Sequence, residues 1–225
     1  MSRILITGDI HGEISVKRIL KIDYLTEEDY VIIAGDAKIV WDKSDRQLAL
    51  IEKLKKKPFT ILFVDGNHEN FELLNSYKVQ QWKGGNVHKI ADNIYHLMRG
   101  QVFTINKKKI FTFGGAMSVD RFKGVEGVDW WEEELPSVQE MDEGFKNLDK
   151  HRYKVDYIVT HTCPVETLEF LGRVYGFKSE IDYLHRYFDD IKDRVDYRHW
   201  FFGHFHRDQY LFDNQTALFD GLIDL

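Results

Sequence analysis

Ile4-Leu5-Ile6-Thr7-Gly8-Asp9-Ile10-His11-Gly12 is the stretch that decides how this chain folds. A short apolar, β-branched run ends in glycine and then in two side chains that bind metals. Period-two geometry returns Asp9 and His11 to the same side of an extended turn. Further along, four more runs end in the same way. Residues 30–34 lead into Gly35-Asp36, and residues 61–64 into Asp65-Gly66-Asn67-His68-Glu69. Residues 157–160 lead into His161, and residues 200–202 into Gly203-His204-Phe205-His206. Short apolar runs bounded by glycine and polar residues predict buried strands. Ligands at the ends of neighbouring strands are expected to converge on one edge of a sheet, in a number that suits two metals.

Taken singly, each box is weak. Asp-x-His occurs by chance in many proteins, although Gly8 and Gly12 permit the tight backbone a ligand loop needs. An isolated Gly-Asp such as Gly35-Asp36 is more often a helix N-cap or an Asx-turn. Gly66-Asn67-His68-Glu69 is more pointed, because each side chain suggests a role. The Asn67 amide oxygen suits a metal, the His68 imidazole faces substrate, and the Glu69 carboxylate orients that imidazole. A lone histidine such as His161 is more often structural. His204 and His206 share one face, with Phe205 pointing to the core.

The rest of the chain sets the frame. Its 225 residues suffice for one substantial core, so a single α/β domain over 1–225 is the simplest count. The net charge of −6, without long basic runs, argues against nonspecific binding of a polyanion. Bound divalent cations would reverse that charge locally, so a phosphate substrate is compatible with it. A single cysteine, Cys163, fits a reducing compartment. Neither a signal peptide nor a membrane span is read, and the expected location is cytoplasmic. Helices are predicted over 15–22, 44–56 and 178–194, the last with a core stripe of Ile181, Leu184, Phe188 and Ile191. Strands at 94–98, 101–105 and 109–113 read as a meander turning at Arg99-Gly100 and 106–108. A closing hairpin pairs 209–212 with 217–219 around Asp213-Asn214. A mixed sheet, or two sheets packed between helices, follows from this pattern.

In order, the five boxes resemble those of the calcineurin-like metallophosphoesterases, which read D-x-H, G-D, G-N-H-[D/E], H and G-H-x-H. The resemblance runs from Asp9 to His206. It implies a four-layer αββα sandwich, of the α/β to α+β class, with two mixed sheets flanked by helices. It implies that Asp9, His11 and His206 hold one metal and that Asn67, His161 and His204 hold a second. Asp36 would bridge both and count, with His68, as catalytic; His68 would touch the phosphoryl group or protonate the leaving oxygen. Two ions about 3.5–4 Å apart would then activate a bridging hydroxide against a phosphate ester. Such ligands suit Mn, Fe, Ni or Zn better than Ca, with Mn the first choice.

Departures from the family narrow the substrate. Phosphoprotein phosphatases of this superfamily extend the second box to G-D-x-V-D-R-G. Here it reads Gly35-Asp36-Ala37-Lys38-Ile39-Val40-Trp41, without the second Asp or the Arg, which disfavours a phosphoserine or phosphothreonine phosphatase. A phosphate-clamping arginine is expected from elsewhere, and Arg121 in the irregular stretch 116–134 is the candidate, with Asn67 as a second substrate contact. That stretch carries a Gly-Gly, Ser-x-Asp, Trp-Trp pattern that looks like some small bacterial and phage phosphoesterases. Trp130 and Trp131 are more often packing residues than substrate contacts. The acidic run at 132–134 would oppose long nucleic acid, so a small or terminal phosphate ester is favoured; a phosphomonoesterase is the expectation, with a phosphodiesterase or nuclease using the same site as the alternative. A protein-binding scaffold with a dead site is the alternative of another class, and the complete ligand set weighs against it. His88, His96, His151, His185 and His199 are read as structural or surface, and Cys163 as a buried residue near the site.

Overall fold

Strands that are apolar on both faces need cover on both sides, and this chain supplies it in four layers. The computed structural model describes residues 2–177 and 180–225. The first half holds β1 (Ile4–Thr7), α1 (Lys17–Leu20), β2 (Tyr30–Ile33), α2 (Asp45–Lys55), β3 (Thr60–Phe63), α3 (Phe71–Asn75), β4 (Val79–Trp82), β5 (Gly85–Ala91) and β6 (Ile94–Leu97). Next come β7 (Gln101–Ile105), β8 (Lys108–Phe113), α4 (Val138–Lys150), β9 (Tyr157–Thr160), α5 (Val165–Tyr175) and α6 (Tyr183–Arg194). The chain closes with β10 (His199–Phe202), β11 (Gln209–Tyr210), β12 (Gln215–Ala217) and β13 (Leu222–Asp224). One sheet has the order β13-β1-β2-β3-β6-β5-β4, the other β11-β12-β10-β9-β8-β7. Both are mixed: β1, β2, β3 and β6 run parallel, as do β8, β9, β10 and β12.

Alternate residues of one strand serve two different cores. Ile4, Ile6, Ile32 and Leu62 face the second sheet and pack with Phe103, Ile110, Val159 and Phe201. Leu5, Val31, Ile33 and Ile61 face the other way, onto Ile19, Leu50 and Leu54 of α1 and α2. Across the molecule, Phe111, Phe113, Ile158, Trp200 and Phe202 pack on Leu148, Leu168, Leu184 and Phe188 from α4, α5 and α6. The four layers are therefore helices, sheet, sheet, helices.

Four expectations need correction. The predicted meander is broken, because β6 pairs in the first sheet and β7 in the second. The chain changes sheets at Gly100, whose φ of +70° suits glycine and where a Cβ would lie 2.7 Å from the Gly144 backbone of α4. Only β7 and β8 form the expected hairpin. The closing hairpin turns at Asp213 and Asn214, both left-handed, but its second strand is β12, and residues 222–224 then return to β1 as an antiparallel edge. In the predicted 178–194 helix, residues 178 and 179 lie outside the described residues, and Asp182 starts α6 by accepting from the Leu184 and His185 N–H groups. Ile181 precedes that cap and is 40% exposed; Tyr187 completes the buried stripe instead. The 15–22 segment is a 3₁₀ turn followed by the single turn of α1, whereas α2 is capped by Ser44 as its sequence predicts. The β4–β5 hairpin carries no strong sequence signal and was not anticipated. No helix among the described residues is long and apolar enough to cross a membrane.

Candidate metal centre

Five parallel strands, three from one sheet and two from the other, deliver the polar boxes to a single crevice. β1 delivers Asp9 and His11, β2 Asp36, and β3 Asn67 and His68; β9 delivers His161, and β10 His204 and His206. The candidate ligands therefore meet between two packed sheets rather than along one edge of a single sheet, a location parallel α/β folds favour at the carboxyl ends of their strands.

Two close groups form. One ligand atom each from Asp9, His11 and His206 lies within 4.8 Å of the others, and the same holds for Asp9, Asp36 and His161. The Nε2 atoms of His11 and His206 are 3.0 Å apart. Asp9 Oδ2 faces them at 3.7 and 3.2 Å, is buried, and makes no hydrogen bond. A buried carboxylate oxygen without a partner is costly unless a cation meets it. On the other side, His161 Nε2 lies 3.3 Å from Asp36 Oδ1 and 3.2 Å from Asn67 Oδ1. The His204 imidazole packs edge-on to His161 at 5.1 Å between ring centroids but joins neither close group. His68 stands outside both, 5.4 Å from the His11 ring, and its backbone N–H donates to Asp36 Oδ1 at 2.8 Å.

Backbone geometry serves these contacts. His11, Asp36, His204 and His206 all have positive φ, a region that costs non-glycine residues about 1–3 kcal/mol each. Two of the glycines beside the ligands leave space for a neighbouring ligand. A Cβ on Gly35 would lie 2.0 Å from His161 Nδ1, and one on Gly66 would lie 2.1 Å from Asp36 Oδ1. Thus the Gly-Asp box is no helix cap: its glycine admits a histidine from the other sheet.

Electrostatics follow from burial and crowding. Burial opposes the Asp36 carboxylate, yet the imidazoles of His161, His68 and His11 hold its pKa below the usual range. Burial likewise opposes charge on His161, but Asp36 and Asp9 outweigh it and raise that imidazole to about 10. His204 faces burial and the neighbouring His161, and is lowered to about 3.

Glu69 does not orient His68. Its fully buried carboxylate accepts from the Ala37 and Lys38 N–H groups at 2.8 and 3.2 Å, pinning the loop that carries Asp36. Burial and the charge of Asp36 push its pKa well up. Arg121 and Trp130 line a cavity of about 360 Å³ together with His68, Lys38, Trp41 and Ser118. Trp131 instead is buried edge-on against Trp41. In the acidic run, Glu132 and Glu133 are exposed while Glu134 turns inward.

Sequence reasoning missed a second polar layer. Arg99 donates to Asp65 Oδ2 through Nε at 2.8 Å and to the Glu133 carbonyl at 2.6 Å, so it ties the β3 end to the 116–134 segment. His96 Nε2 donates to Asp65 Oδ1 at 3.1 Å, and its Nδ1 accepts from His88 Nδ1 at 3.1 Å. No local pattern marks these residues; they meet only because β5, β6 and β3 pair. Cys163 is fully buried, and burial pushes its thiol well up, as suits an inert core residue.

The chain belongs to the calcineurin-like phosphoesterases, whose family model matches residues 2–208. It is thus a metal-binding hydrolase of the phosphoester-cleaving class. No curated protein matches it. Among solved structures, it is similar to phosphopantetheinyl hydrolase from Mycobacterium tuberculosis, with 14% identity, coverage of 97% of this chain and 88% of that one, and a TM-score of 0.46.

Proposed function

We propose that this protein hydrolyses a small phosphate monoester with two divalent ions, Mn first among them. Asp9, His11 and His206 would hold one ion and Asn67, His161 and His204 the other, with Asp36 shared. The observation that carries this reading is Asp9 Oδ2, a buried and unpartnered carboxylate oxygen aimed at two imidazole nitrogens. Bound ions would supply positive charge for the phosphoryl oxygens and a water of lowered pKa. His68 is held by its backbone bond to Asp36 at the boundary between ligands and cavity, where its imidazole reaches a leaving oxygen and gives it a proton. The Arg121 guanidinium would meet phosphate oxygens, and the Trp130 ring would cover the rest of the ester. Glu132 and Glu133 on the same segment oppose a long polyanion.

A panel of chromogenic mono- and diesters, run with metal-stripped protein and added Mn, Ni, Fe, Mg or Zn, tests the proposal. Monoester turnover should require added metal, and Arg121→Ala should lower kcat/KM about 10-fold with metal content unchanged. Turnover of diesters alone would reassign the substrate to that class. No hydrolysis of any ester by fully loaded protein would favour the scaffold.

A further inference from the structure

Asn67 is held on its far side by a chain that no ligand box contains. Its Nδ2 donates to Ser118 Oγ at 3.2 Å, and Ser118 Oγ donates to Glu134 Oε1 at 2.9 Å. The Ser118 N–H donates to the other oxygen, Oε2, at 2.8 Å. All three residues are buried, Asn67 at 4%, Ser118 at 5% and Glu134 at 2% exposure. Glu134 forms no ion pair among the described residues; burial pushes its carboxyl up to about 7 even though Ser118 pulls the other way. A buried carboxylate without a cation is a cost the fold carries, so its placement calls for a reason.

The chain has a direction. When ionised, above its raised pKa of about 7, the Glu134 carboxylate only accepts, so the Ser118 hydroxyl spends its proton on it. The Ser118 oxygen then offers only lone pairs to Asn67, and the amide must turn its NH₂ group toward Ser118. That leaves Oδ1, the one atom of the amide able to bind a cation, on the side of His161 Nε2. With the amide flipped, Oδ1 would face the Ser118 lone pairs and the NH₂ group would face the metal side.

We propose that Glu134, acting through Ser118, is a positioning residue that fixes the Asn67 amide with its oxygen toward the second ion. This rests on the reading of Asn67 as a ligand of that ion. It also gives the inward turn of Glu134 a function: the segment that walls the substrate cavity is joined to the metal centre through one carboxylate. Ligand-supporting partners of this kind typically change metal affinity 10–100-fold when lost.

Glu134→Gln is the informative variant. It keeps the shape, but its NH₂ group can donate to Ser118, which frees the hydroxyl to donate to Asn67 and reverses the chain. Mn²⁺ titrations of the stripped full-length protein at about pH 8, where Glu134 is ionised, followed calorimetrically, should show one ion bound with wild-type affinity and the second at least about 10-fold weaker. Ser118→Ala should behave alike, and Ser118→Thr, which retains the hydroxyl, should restore the second ion. The metal-free Tm of Glu134→Gln should equal or exceed that of wild type, because a buried charge is removed; a purely structural role would lower it. Two ions bound at wild-type affinity in Glu134→Gln would overturn the proposal, as would equal weakening of both ions together with a fall in Tm. Wild-type protein that binds a single ion would remove the second site itself, a failure of the binuclear reading that the wild-type titration reveals separately.

Discussion

The Nδ1–H of His161 donates to the carbonyl oxygen of Ala34 at 2.8 Å. His161 ends β9 in one sheet and Ala34 follows β2 in the other, so the first sheet orients a candidate ligand carried by the second. With Nδ1 committed to the carbonyl, Nε2 is the nitrogen that faces Asp36 and Asn67. Gly35, next in sequence to Ala34, is the residue this contact constrains.

Gly35→Ala should therefore damage the centre from outside the ligand set. The added methyl would collide with the His161 ring, and Gly35 has a φ of +93° that L side chains rarely adopt. The expected loss is about 2–4 kcal/mol of stability with reduced metal content. Chemical denaturation and elemental analysis read both, and a variant with wild-type stability and full metal would contradict the cross-sheet contact.

Asp36→Asn and His11→Ala should differ in kind. If Asp36 is shared, its loss takes bound metal toward zero, whereas His11→Ala retains about one ion. Elemental analysis of purified variants decides this. Full metal content in Asp36→Asn would end the shared-ligand assignment.

His68→Ala should keep its metal and lose rate unevenly. Esters with poor leaving groups need the proton and should slow by roughly 10²–10⁴-fold, while nitrophenyl esters should slow far less. Equal losses on both would move His68 from proton donor to phosphoryl contact.

His88 gives a pH dependence independent of the metals. Burial, with the neighbouring His96 imidazole second, lowers its pKa from 6.5 to about 4. A histidine depressed on folding contributes stability that is complete above pH 6.5 and lost as the pH falls toward 4. In chelator, the stability advantage of wild type over the non-titrating His88→Gln should shrink by about 3 kcal/mol between neutral pH and pH 4. A difference that stays constant with pH would show that His88 is not the titrating group.

The strands and the candidate ligands were legible because each lies within a few residues of its own signal. A β-branched run specifies a buried strand, and a strand's end fixes where the next Asp or His must sit. The order of the five boxes then carried the family. Pairing could not be read in the same way: nothing local in Ile94-Tyr95-His96-Leu97 tells that β6 pairs with β3 while β7 crosses to the other sheet. That choice is made by which apolar faces find cover. The roles of Glu69 and Glu134 were equally closed to sequence. A carboxylate's partners are set by through-space approach, here across 32 residues to Ala37 and 16 to Ser118. Sequence by itself determined which residues are candidates for holding metal and at which strand ends they stand. Only the tertiary structure decided which ligands meet and how the amide of Asn67 is turned, because hydrogen bonds between distant segments exist only once both sheets have packed.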